Sequence, residues 1–202
     1  MFDIRCEGCG TFGSLLCTPC SQQHFYPVDA PKGIYRAFTT GTYDSPLGRA
    51  LAVAKHRPSR PLSLRIARAF GTAALHDAVI LSLVATATQV TWIPSTRSRL
   101  VRRGFSLPAM LAAGVARPWG LPATRILSMR AGAPQSSLDK YSRWNSAKER
   151  IHLTSGNHAG TVILVDDVVT TGASAEVAAD ELSKAGFCRV VLLTCAVAKA
   201  PQ

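Results

Sequence analysis

Apolar positions fall along this chain in two rhythms, and the rhythm changes where the elements should change. Val162-Ile163-Leu164-Val165 and Val190-Val191-Leu192-Leu193 are unbroken runs of β-branched residues and leucine, the pattern of strands buried on both faces of a parallel sheet. Between them residues 173–184 are helix-prone, with Val177, Ala178 and Leu182 apolar and Gly186 where a C-cap is wanted. This spacing predicts a βαβ unit. Upstream, residues 33–43 are rich in β-formers and read as an extended pair broken at Gly41. Asp44-Ser45-Pro46 then supplies an N-cap and an early proline for a helix through Leu47, Leu51 and Ala54. Residues 57–61 form a stiff basic turn, followed by a helix with Leu62, Ile66, Ala69, Phe70 and Ala73 on one face. Val90-Thr91-Trp92-Ile93 predicts a strand, residues 107–116 a helix, and residues 124–129 another strand. Strands alternating with helices imply an α/β fold, a parallel sheet flanked by helices.

A length of 202 residues and a hydrophobic content of 47% suit one such domain with a small appendage. Residues 78–96 carry no charge, but Ser82, Thr86, Thr88, Gln89, Thr91 and Pro94 interrupt them. They read as a buried helix end followed by a strand, not as a membrane span. Residues 1–10 hold charges and cysteines and no apolar run, so a cytoplasmic protein without membrane insertion is expected. The net charge of +11, from 23 Lys and Arg against 12 Asp and Glu, calls for anionic partners. Nucleic acid and a pyrophosphate both qualify.

The appendage has its own chemistry. Cys6-Glu7-Gly8-Cys9 and Cys17-Thr18-Pro19-Cys20 form two C-x-x-C pairs, which together make a tetrahedral Cys₄ site for structural Zn²⁺. Redox pairs and disulfides are the alternatives, and His24 could stand in for one cysteine. The expected division is a zinc-binding module over residues 1–30 and an α/β domain over 31–202. Cys188 and Cys195 border or lie in an apolar strand and read as core or edge thiols.

The sharpest signal follows the first apolar run. Asp166 and Asp167 end the predicted strand, at the carboxyl edge where open α/β sheets place ligands. Val169, Thr170, Thr171, Gly172, Ala173 and Ser174 then offer hydroxyls, a glycine that admits backbone amides, and the start of a helix, all of which favour a phosphate. Two carboxylates would repel that phosphate if they faced it. They suit sugar hydroxyls, or Mg²⁺ through oxygen ligands. Together these parts describe a ribose 5-phosphate. Neither G-x-x-x-x-G-K-[ST] nor G-x-G-x-x-G occurs, which removes P-loop and dinucleotide readings. Capping of a turn alone would need one carboxylate, not two before Thr-Thr-Gly.

Four arginines, Arg97, Arg99, Arg102 and Arg103, follow the strand at Val90. In most proteins such a run would be a solvated face. Residues 130–146 are poor in apolar side chains and read as an inert surface loop or, in preference, as a mobile lid over water-sensitive chemistry.

Residues 162–174 resemble the signature of type I phosphoribosyltransferases, which bind phosphoribosyl pyrophosphate (PRPP). Across nearly its whole length the chain resembles the ComF family of competence-related phosphoribosyltransferases. The resemblance rests on the double C-x-x-C, on Tyr43 leading to Leu51 and Lys55, on Pro94 through Arg103-Gly104-Phe105, on Gln135 and Leu138 with Arg143, and on the signature. It departs at Ser106-Leu107, where the family has Asn-Gln, and at Ser146, where the family has Asn. The resemblance implies a type I phosphoribosyltransferase-like sheet and a PRPP-dependent transferase, with Mg²⁺ accompanying PRPP and Zn²⁺ structural. Asp166, Asp167 and Arg103 would be catalytic, Val169 to Ser174 would hold the 5-phosphate, and Arg97, Arg99, Gln135 and Arg143 would contact substrate. The resemblance also implies that the arginines after the Val90 strand suit a pyrophosphate leaving group. The acceptor is not legible. The same resemblance admits a non-enzymatic PRPP sensor, or a helper of DNA uptake whose partner is single-stranded DNA or a competence-machinery protein.

Overall fold

The computed structural model describes residues 4–130, 151–154, 156 and 158–198. In chain order the elements are α1 (Thr18–Ser21), β1 (Tyr26–Val28), β2 (Arg36–Thr39), α2 (Pro46–His56), α3 (Arg60–Leu75), α4 (Ala78–Val84) and β3 (Ala87–Trp92). There follow α5 (Arg97–Arg103), α6 (Leu107–Trp119), β4 (Leu127–Met129), β5 (Ile151–Leu153), β6 (Thr161–Val169), α7 (Ala173–Lys184) and β7 (Arg189–Val197). The central sheet runs β1-β2-β7-β6-β3. Its β2-β7, β7-β6 and β6-β3 pairs are parallel, and only β1 joins antiparallel. The mixed α/β class with a mostly parallel sheet is therefore as the hydrophobic rhythm implies.

Alternation along β6 and β7 divides the core in two. Ile163, Val165, Val191 and Leu193 face a cluster built with α2, α3 and α6, while Val162, Leu164, Val190 and Leu192 face α7. Helix α6, which follows β3, and α7, which follows the adjacent strand β6, thus lie on opposite faces of the sheet. Cys6, Leu16, Cys20 and Phe25 belong to the first of these clusters, with Phe25 edge-on to Phe70 at 5.0 Å between ring centroids. The cysteine segment is therefore packed into the main core.

Local capping explains the helix starts. Ser45 Oγ accepts from Gly48 N at 3.1 Å, with Pro46 in the first turn of α2. The predicted basic turn at 57–61 is shorter than expected, because Ser59 caps α3 and Pro61 sits in its first turn, where a missing N–H costs nothing. The arginine stretch, to which the sequence assigned no element, is the helix α5, capped by Thr96. The strand expected at 124–129 is the three-residue β4, paired antiparallel to β5 in a second small sheet. Among the described residues no single helix is long and apolar enough to cross a membrane.

Helices α3 and α6 cross at two glycines. A Cβ on Gly71 would run into Gly114 O, and one on Gly114 into Ala67 O. Gly114→Ala is expected to cost about 3 kcal/mol, the upper part of the range for overpacking, because backbone cannot step aside as a side chain can. Urea denaturation midpoints of variant and parent chain check this.

Candidate functional site

Strand β6 does not stop at the carboxylates. It pairs with β7 through Asp166 opposite Thr194, Val168 opposite Ala196 and Val169 opposite Val197. Asp166 and Asp167 therefore lie within the strand, held by ladder bonds, rather than at its end as the sequence suggests. That makes their placement stiffer than a loop would. The Asp167 amide donates to Asp166 Oδ1 at 2.7 Å. Asp166 is buried, and burial pushes its carboxyl up to about 8, with the neighbouring Asp167 charge adding to the rise. Lys55 and Arg99 oppose that rise from α2 and α5.

Asp167 meets Lys55 across the sheet's first face, Oδ1 to Nζ at 2.8 Å. Sequence reasoning saw Lys55 only as part of a pattern and gave it no role at the site. Arg103, at the end of α5, is half-buried, and its Nε is buried with no hydrogen-bond partner among the described residues. Burial lowers its pKa, and the charge of Asp167 opposes that. The two are thus close enough to couple. Arg97 and Arg99 are exposed on the same helix. Gln135 and Arg143, and the expected lid apart from Arg130, lie outside the described residues.

The hydroxyl loop leaves β6 and enters α7 at Gly172, whose φ of 78° is left-handed and whose Cβ position lies 3.1 Å from Pro31 Cγ. The left-handed φ strains any side chain there, and Pro31 would have to shift by a few tenths of an ångström to admit one. Thr171 Oγ1 accepts from Ala173 N at 3.5 Å, Thr170 is exposed and Ser174 is half-buried. The N-cap Gly172 has no side chain to cap α7, and the Thr171 hydroxyl takes only the Ala173 amide. A cavity of about 360 Å³ opens beside this loop, between Val169–Gly172 and the turn that carries Pro31 and Lys32. Glu176 and Thr194 also line it.

The four amino-terminal cysteines converge. The sulfurs of Cys6, Cys9, Cys17 and Cys20 all lie within 4.8 Å of one another, and Cys9 Sγ to Cys17 Sγ is 3.6 Å. Tetrahedral coordination with Zn–S bonds of about 2.3 Å requires sulfurs about 3.8 Å apart. All four are free thiols, which sets aside the disulfide alternative, and His24 is exposed and outside the group. The Cys17 amide donates to Cys6 Sγ at 3.3 Å, and the Thr11 hydroxyl and amide bring the Cys9 thiol down to about 6. Four cysteines so placed could hold a metal such as zinc. Among the described residues this is the one group where three or more such ligands converge. Of the two remaining cysteines, Cys195 is buried and Cys188 exposed.

No family model matches the chain, and no curated protein matches it. Function must therefore be argued from the residues.

Proposed function

We propose that this chain binds PRPP and transfers its phosphoribosyl group to an acceptor with loss of pyrophosphate, as its resemblance to the ComF family and to type I phosphoribosyltransferases implies. The observation that carries this reading is the sequence of groups along one strand and loop. A fixed carboxyl pair is followed within a few residues by hydroxyls, a left-handed glycine and a helix N-terminus whose N-cap is that glycine, beside a cavity. Asp166 and Asp167 take the ribose hydroxyls, and Thr170, Thr171 and Ser174, with the first amides of α7, take the 5-phosphate. Arg103, with Arg97 and Arg99, stabilises the charge that develops on the departing pyrophosphate. Mg²⁺ enters this reading only as the companion of the pyrophosphate, and zinc as structural. Ser106, where the family has Asn, caps α6 by accepting from Ala109 N at 3.4 Å. Asn and Ser are interchangeable in that role, so this departure leaves the scaffold intact.

A second reading, a PRPP sensor or a single-stranded-DNA partner, draws on one feature absent from the linear sequence. Tyr35 is 50% exposed, and the guanidiniums of Arg189 and Arg36 stand 5.1 and 5.9 Å from its ring. Exposed aromatic and arginine surfaces of this kind stack bases. Pyrophosphate release from PRPP across a panel of acceptors separates the readings: turnover favours the transferase, and binding without turnover the sensor.

The binding reading has its own test. Asp167→Asn keeps volume and is expected to lose PRPP affinity about tenfold or more, near 1.4 kcal/mol, while orthophosphate binding at the loop persists. Calorimetric titration measures both ligands, with thermal melts as the folding control. An unchanged PRPP affinity in a folded variant would sink the ribose assignment.

A further inference from the structure

Lysine ammonium groups normally sit in water at the end of a flexible stem. Lys55 does not. Its side chain is 16% exposed and that of Asp167 14%, and Nζ contacts Oδ1 at 2.8 Å. The other titratable groups that feel the charge of this carboxylate are Asp166 on the same strand, Arg103 on α5 and the Cys195 thiol on β7, while Arg99 on α5 acts on Asp166. Among the described residues Lys55 is the one cation within ion-pair distance of Asp167.

The helix that carries Lys55 is held along its length. Leu47, Leu51 and Ala54 are fully buried on its core side. At its start Arg49 Nε donates to Gly8 O and Nη1 to Asp44 O, each at 2.7 Å. Gly8 lies so close to α2 that a Cβ there would meet Pro46 O at 2.9 Å. Lys55 therefore reaches the carboxylate from a rigid support, which is how a side chain is fixed for a task rather than left to find a counter-ion.

We propose that Lys55 is a positioning residue that occupies Oδ1 of Asp167, fixes the rotamer of that carboxylate and leaves Oδ2 to receive a hydroxyl of the ligand. This rests on the reading that Asp167 grips ribose, and it adds the residue that aims it. An aimed acceptor loses less freedom when a ligand binds than one that must first be ordered. Lys55 acts through Asp167 and touches no ligand itself.

The test uses Lys55→Met, which keeps the apolar stem without the charge, and Lys55→Arg, which restores a cation. Calorimetry on the full chain measures PRPP with Mg²⁺ and, separately, orthophosphate. Lys55→Met is expected to weaken PRPP about tenfold and orthophosphate by less than about twofold, and Lys55→Arg to recover most of the loss. A purely structural lysine would lower the melting temperature and weaken both ligands alike or neither, and either result overturns the proposal. Should Lys55→Met fail to fold, the Lys55→Met/Asp167→Asn pair removes both charges together. Its PRPP affinity should then equal that of Asp167→Asn alone, and a further loss overturns the proposal. Wild-type protein that binds orthophosphate but not PRPP overturns the phosphoribosyl reading itself, and the role of Lys55 falls with it.

Discussion

Stripping the metal from the four cysteines is expected to lower the melting temperature of the whole chain by about 10 °C or more, not merely to loosen its first thirty residues. Structural zinc in small Cys sites contributes apparent free energies of about 10 kcal/mol or more, and in a chain of this size each kcal/mol is worth about 2–4 °C. The loss spreads because Cys6 and Cys20 sit in the same buried cluster as Leu51, Ile66 and Phe70. Calorimetric melts before and after a strong chelator, in reducing buffer, measure it. Elemental analysis should give about one zinc per chain. An unchanged melt, or reduced protein that holds no metal, would overturn zinc as a structural ligand of the four cysteines. Since Gly8 also receives the Arg49 guanidinium at the head of α2, chelation should reach the candidate site. PRPP affinity is therefore expected to fall with the metal.

Stability should also fall as pH rises from about 4 to 8, the reverse of what an ion-paired carboxylate gives. Burial raises the Asp166 carboxyl to about 8 in the folded chain, against about 3.9 in an unfolded one. Between those values the folded state binds the extra proton. Its contribution is complete below about pH 4 and is lost progressively as pH climbs through the window, by at most about 1.4 kcal/mol per unit. Asp166→Asn mimics the protonated form. It should flatten the profile and melt higher than the parent chain above pH 8 when no ligand is present. Urea unfolding at pH 6, 7 and 8, with zinc saturating so that its thiolates stay ionised, provides the slope. A parent profile as flat as that of the variant would show that Asp166 is ionised throughout. A ligand that needs the anion must drive that proton off, so PRPP affinity should rise over the same window.

Much of this molecule was written locally. The runs at Val162 and Val190 are strands because residues apolar on both faces can be satisfied only inside a sheet covered on both sides, and α7 between them follows from its own periodicity. Ser45, Pro46 and Gly172 act over one turn, so capping and turn chemistry reveal them without any tertiary knowledge. The cysteine pairs are legible for the same reason, because two C-x-x-C pairs carry their geometry within a few residues.

What the fold alone decided joins residues far apart in the chain. Lys55 meets Asp167, and Arg189 stands over Tyr35, only because β2, β7 and β6 lie side by side with α2 across one face. No local spacing encodes such a meeting. The sequence placed Asp166 and Asp167 at a strand end because carboxylates are poor strand residues. The structure keeps them in the ladder because β7 runs on as far as Val197 and supplies partners at Thr194 and Ala196. That extension buries Asp166 and separates the two adjacent carboxyls, one raised by desolvation and one paired to a lysine. Identical side chains one residue apart have different chemistry because the sheet gives them different surroundings, and only the assembled sheet could decide that.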